Sequence, residues 1–164
     1  MYHCKLAWLL LVTLAATFRS GRRGERRILL LSSGKLGDLV CITSLFGAIH
    51  RQLGLTVDVV TNRFGPELYM GNPHLGKVWE LNDVTPAAMA AGRYSHAVIL
   101  NPNPELVALA VRAGIPYRIG ITTPREKFLT RAFERFLHER HVYRFDVQTV
   151  EFYQTMLASL GLTP

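Results

Sequence analysis

Asp38 is the residue whose type and setting point most directly to chemistry. It lies in the stretch RILLLSSGKLGDLVCI, Arg27 to Ile42. Ile28 to Leu31 form a continuous apolar run, as a parallel strand does when helices cover both faces of its sheet. Ser32, Ser33 and Gly34 end that run. From Leu39 onward, Leu39, Val40, Ile42, Leu45, Phe46 and Ile49 recur at helical spacing, and Gly54 closes the pattern. The spacing predicts strand, turn and helix, with Asp38 at the helix N-terminus just beyond the carboxyl end of the strand. Ligands bind at that position in open α/β sheets. A carboxylate there can meet a ligand at that edge. It can equally be an N-cap that satisfies free backbone N–H groups and complements the helix dipole. Two phosphate-binding patterns fail on spacing. Gly34-Lys35 is followed by Leu36 instead of Ser or Thr, with no glycine five residues before Gly34, and Gly34 with Gly37 does not make GxGxxG.

The elements that must position Asp38 follow in order. Thr56 to Thr61 reads as a second, β-branched strand nearer an edge, and Asn62 to Gly65 turn it. Pro66 to Met70 predicts a short helix, Lys77 to Leu81 a third strand, and Thr85-Pro86 the N-cap and first position of a helix that stops at Gly92. Ala97 to Leu100 is a second continuous apolar run and predicts a central strand. Its loop, Asn101-Pro102-Asn103-Pro104, should face the same side of the sheet as Asp38. Glu105 to Ala113 then reads as helix and Tyr117 to Ile121 as the fifth strand. Thr123-Pro124-Arg125-Glu126 has capping-box spacing. It precedes a helix with Phe128, Leu129, Ala132, Phe133, Phe136 and Leu137 on one face and Arg125, Arg131 and Arg135 off it. Val150 to Leu160 is the closing helix. Strands alternating with helices in this way predict the α/β class, a Rossmann-like, doubly wound parallel sheet with right-handed crossovers.

Charge and cysteine content remove several function classes. The net charge is +7, but residues 1–27 carry Lys5, Arg19, Arg22, Arg23, Arg26 and Arg27 against Glu25, a net +5. The folded remainder holds only +2 and shows no nucleic-acid-binding module, so no nucleic-acid partner is expected. Cys4 and Cys41 suggest neither a disulfide framework nor a metal site. His138 and His141 have only Glu139 and Arg140 between them, which is no zinc signature, and no metal is expected. Leu6 to Phe18 is an apolar run short for a span, about 20 Å as a helix against a hydrocarbon core of about 30 Å. The arginines behind it oppose translocation. Residues 1–26 are therefore expected to be a hydrophobic and basic leader that associates with a membrane surface, and 27–164 a single domain. The alternatives for the leader are a wrongly chosen start codon or a helix docked on that domain.

RILLLSSGKLGDLV resembles the opening of the lipopolysaccharide heptosyltransferases, family 9 of the glycosyltransferases. The likeness continues through TVDVVTN, GNPHLGKVWEL, YSHAVILNPNP, YRIGI and VQTVEFYQTMLASLGL. It implies the N-terminal, acceptor-binding half of a GT-B glycosyltransferase, whose C-terminal donor-binding domain is absent from this chain. The implied reaction is inverting transfer of a heptose or similar sugar to a lipid-linked core oligosaccharide. A nucleotide sugar such as ADP-heptose is the co-substrate, no other cofactor is needed, and the half alone is expected to be inactive. Asp38 matches the Gly-Asp position of the family's candidate general base. Ser33, Lys35, Gly37, Asn101 and Asn103 are the implied acceptor contacts, and the cytoplasmic face of the inner membrane is the implied location. A reading from another class is a membrane-anchored, non-catalytic Rossmann-like binding module or a degenerate glycosyltransferase fragment.

Overall fold

The computed structural model describes residues 2–17, 26–124 and 128–162. Six parallel strands form one sheet: β1 (Ile28–Leu31), β2 (Val57–Thr61), β3 (Leu75–Glu80), β4 (His96–Ile99), β5 (Tyr117–Thr122) and β6 (Glu139–Val142), in the order β3-β2-β1-β4-β5-β6. This is the Rossmann-like, doubly wound α/β fold expected from the sequence, with one strand more. Glu139-Arg140-His141-Val142 carries almost no apolar pattern, because β6 is an edge strand paired on one side and only half covered. Its polar sequence hid it. In contrast β2, expected nearer an edge, lies one strand in and is buried along its length.

The helices divide between the two faces as the alternating strand residues do. On one face, Ile28 and Leu30 pack with α2 (Leu36–Leu53) and α7 (Thr149–Leu157) through Leu39, Ile42, Leu45, Phe46, Ile49, Phe152, Tyr153 and Met156. On the other, Leu29 and Leu31 pack with α4 (Pro86–Ala91), α5 (Pro104–Arg112) and α6 (Phe128–Glu134). The short α3 (Gly65–Leu68) follows β2. The caps are largely those the sequence announces. Thr85 Oγ1 accepts from Ala88 N at 3.2 Å, and Gly54 and Gly161 adopt the left-handed conformation that ends α2 and the 3-10 turn after α7. The capping box at Arg125 and Glu126 lies outside the described residues.

The apolar run near the start is α1 (Tyr2–Ala16), a helix laid on the outside of α5 and α6. Leu6 and Thr13 are buried, Leu9, Leu10 and Ala16 join the second core, and Lys5 pairs with Glu105 on α5 at 2.6 Å. No helix among the described residues is long and apolar enough to cross a membrane.

Candidate active site

The crossover direction reverses between β1 and β4: the chain leaves β1 for α2 on one face and leaves β4 for α5 on the other. The loops after these strands therefore lead to opposite faces at the carboxyl edge, where this architecture places its ligand crevice. Asp38 and Asn101 sit on its two sides.

The helix after β1 begins earlier than its apolar pattern, because Leu36-Gly37 fill the first turn without adding to the buried stripe. Lys35 is the N-cap and Asp38 the third helical residue. Asp38 Oδ2 reaches back to accept the Lys35 backbone N–H at 2.9 Å, half of a capping box. Its other oxygen, Oδ1, has no partner among the described residues. Thus the cap and the chemical reading of Asp38 each claim one oxygen of the same carboxylate.

Asn101 faces it across Gly34. Its Oδ1 accepts from Ser32 Oγ at 2.9 Å and from the Ser33 backbone N–H at 2.8 Å. A backbone N–H can only donate, so the amide oxygen must point there, which turns Nδ2 outward. A Cβ placed on Gly34 would lie 2.7 Å from Asp38 Cβ, 2.8 Å from Asp38 Oδ2 and 3.0 Å from Asn101 Nδ2. Glycine is required here by close approach. The Asp38 carboxylate and the Asn101 amide are thereby held on either side of Gly34, and together they offer an acceptor and a donor to a hydroxyl.

The remaining expected residues divide by role. Asn103 Oδ1 caps α5 through Glu105 N at 2.8 Å and its Nδ2 donates to Ser33 Oγ at 2.9 Å, so Asn103 and Ser33 bind the two loops to each other. The following Pro104 favours the extended backbone that an N-cap needs. Lys35 is exposed, and Gly37 is exposed with open space where a side chain would stand. Sequence reasoning missed Ser32 and Asn62. Asn62 Nδ2 donates to the Gly34 carbonyl and its Oδ1 accepts from Phe64 N at 2.9 Å, which ties the β2 loop to the β1 loop. Its position at the start of a turn was visible in the sequence, its partner 28 residues away was not. Beneath the crevice Tyr153 is buried and donates to the Leu100 carbonyl at 3.3 Å. Burial, with a smaller contribution from the charge of Asp38, pushes its hydroxyl up and keeps it protonated.

Around the edge, Leu36, Val40, Phe64, Val142 and Phe145 are exposed apolar side chains on the first turns of α2, at the start of α3 and at the end of β6. No group of three or more potential metal ligands occurs among the described residues. His141 Nε2 instead meets Ser159 Oγ at 2.8 Å.

The fold is that of a Rossmann-like α/β domain. No protein-family model and no curated protein matches the chain by sequence. Among solved structures it is similar to a family 9 glycosyl transferase from Veillonella parvula, with TM-score 0.70 and 20% identity over 85% of this chain and 42% of that one. It is also similar to E. coli heptosyltransferase WaaC with ADP, with TM-score 0.66 and 19% identity over 84% of this chain and 48% of that one. An FMN-dependent UbiX-like decarboxylase from E. coli O157:H7 aligns at TM-score 0.54 and 11% identity, over 85% of this chain and 95% of that one. The chain thus spans under half the length of the glycosyltransferases it matches, and these likenesses establish its fold.

Proposed function

We propose that this chain is the acceptor-binding part of an inverting glycosyltransferase that moves a heptose or similar sugar from a nucleotide sugar, such as ADP-heptose, to a lipopolysaccharide core acceptor at the cytoplasmic face of the inner membrane. The observation that carries the reading is the placement of the Asp38 carboxylate and the Asn101 amide on either side of Gly34 at the switch point of the sheet. An acceptor hydroxyl donates to Asp38 and accepts from Asn101, which fixes it in line for attack on the anomeric carbon. As the new C–O bond forms, the bond to the nucleoside diphosphate breaks and the hydroxyl proton passes to Asp38. Lys35, exposed at the lip, supplies a cation for acceptor phosphates or carboxylates, and the absent side chain of Gly37 leaves room for the sugar. Ser33 and Asn103 position the two loops. The donor is held by a second domain, and the exposed apolar rim from Leu36 to Phe145 is the surface such a domain would close upon.

The test is transfer from ADP-heptose to a lipid-linked core acceptor, followed by mass spectrometry, with a donor domain of a family 9 glycosyltransferase supplied to the chain. The 164-residue chain alone should be inactive. With the donor domain, Asp38→Asn should slow transfer roughly 10² to 10⁴-fold while acceptor binding persists. Turnover by the isolated chain, or wild-type turnover by Asp38→Asn, would sink the proposal. The second reading, a non-catalytic binding module, draws on the decarboxylase, in which a domain of this fold makes up nearly the whole chain. It predicts ligand binding that no added donor domain converts into transfer.

A further inference from the structure

We propose that the outward face of α1 lies flat in the interface of an anionic lipid bilayer, as a contact surface fixed to the domain. From Leu6 onward the helix is apolar around its circumference apart from Thr13, and the domain covers only one side of it. At 100° per residue, Leu6, Leu10 and Thr13 point inward, and the Thr13 hydroxyl is satisfied by the Leu9 carbonyl at 2.7 Å. Cys4, Trp8, Leu11 and Ala15 fall on the opposite side. Trp8 is 61% and Leu11 66% exposed, and Leu14 beside them is 37% exposed. No charged residue interrupts that stripe. The nearest one, Lys5, is drawn to Glu105 on α5. Two large apolar side chains this open on one helical face call for an apolar partner.

Charge selects the partner. Arg131 and Arg135 are exposed on and just after α6, which packs beside α1. A second copy of the chain seated on the same stripe by a two-fold axis would bring two basic flanks together. Anionic headgroups neutralise them, and interfacial helices combine an apolar face with flanking basic residues and tryptophan in this way. The helix does not cross the bilayer: its 15 residues reach about 22 Å against a hydrocarbon core of about 30 Å, and its inner face is held by α5 and α6. The inference deepens the proposed function, on which its biological sense rests, by naming the surface on which a lipid-linked acceptor would be met. Its test contains no acceptor, so it stands or falls separately.

Flotation of the full chain with phosphatidylglycerol/phosphatidylethanolamine vesicles provides the measurement, with Trp79→Phe as a second form in which Trp8 is the remaining tryptophan of two. We expect binding to these vesicles, at least tenfold weaker on pure phosphatidylcholine or in 0.5 M NaCl. Trp8 emission should shift to the blue and be quenched by lipids brominated near the headgroup. Trp8→Ser with Leu11→Ser should reduce binding at least tenfold and leave the unfolding curve unchanged, since both side chains are outside the core. Equal binding by that double variant would overturn the proposal. So would a blue-shifted Trp8 without vesicles in a chain of doubled mass, which would assign the stripe to a second copy. If Trp79→Phe does not fold, flotation of the double variant against the parent still decides the matter.

Discussion

Two aspartates stand at opposite ends of the central strands, and the protein treats them differently. Asp58, in β2 toward the amino edge, is 6% exposed and fully engaged: Oδ2 accepts from the Arg27 guanidinium at 3.1 Å and from Tyr94 OH at 2.5 Å, and Oδ1 accepts from Lys77 N at 2.7 Å. Arg27 also lies over the Tyr94 ring at 5.3 Å. Burial first, then the hydrogen bond to Asp58, pushes the Tyr94 hydroxyl up, so it remains a donor. Asp38 at the carboxyl edge has one oxygen committed and one open. A buried carboxylate with every oxygen satisfied fixes the fold, because removing it strands its donors. A half-satisfied one at an open edge keeps a lone pair for a ligand. On the proposed function, the number of donors that converge on it separates the same residue type into structural and chemical roles.

The largest expected effect breaks the pair apart by activity. Asp38→Asn keeps an acceptor for the Lys35 N–H and should cost no more than about 1 kcal/mol of stability, the scale of a cap. It should nevertheless remove about 3 to 5 kcal/mol of transition-state stabilisation, corresponding to the 10² to 10⁴-fold slowing above. Asp58→Ala should do the reverse, lowering unfolding free energy by about 2 to 4 kcal/mol in urea while the folded fraction transfers at the wild-type rate. A catalytic loss in Asp58→Ala equal to that of Asp38→Asn, at equal folded fraction, would erase the distinction.

Gly34→Ala sharpens it. The added methyl must displace Asp38 or Asn101, with a fall in transfer and an expected stability cost of about 1 to 3 kcal/mol that Gly37→Ala, in open space, does not share. Unchanged melting and activity in Gly34→Ala would show that the gap is not fixed as described.

The smallest effect is on pH dependence. Burial lowers the pKa of His96, with Arg26 adding to it; burial and Arg118 lower His138; burial lowers His141 against the opposing pull of Glu139. The unfolded chain therefore binds these protons more readily than the folded one. Stability from this source is present above about pH 6.5, the ordinary histidine value, and is lost as pH falls through the lower folded values. The melting temperature should decline between pH 7 and pH 5, and His96→Gln should flatten that decline. A melting temperature that rises on acidification would contradict the sign.

Much of the fold was legible because its signals are local. The runs Ile28–Leu31 and Ala97–Leu100 read as central strands because both faces are covered, and Thr85, Gly54 and Gly161 announce helix ends through their own backbone needs. The strand-turn-helix around Asp38 belongs to the same class, so the sequence alone singled out the carboxylate and the edge of the sheet where it stands. Tertiary structure decided what surrounds it. Asn101 meets Ser33 across 68 residues, Asn62 meets Gly34 across 28, and Asn103 became a cap and a bridge between loops, all through strand pairing that no local pattern encodes. The same holds for β6, whose polar residues become a strand because β5 offers an unpaired edge, and for α1, whose uniform apolarity left its docked side undefined until α5 and α6 supplied one. Hydrophobic period and capping chemistry act within a few residues and can be read along the chain. Which loops converge at the crevice depends on the order of strands in the sheet, and that order is set by packing of both faces at once.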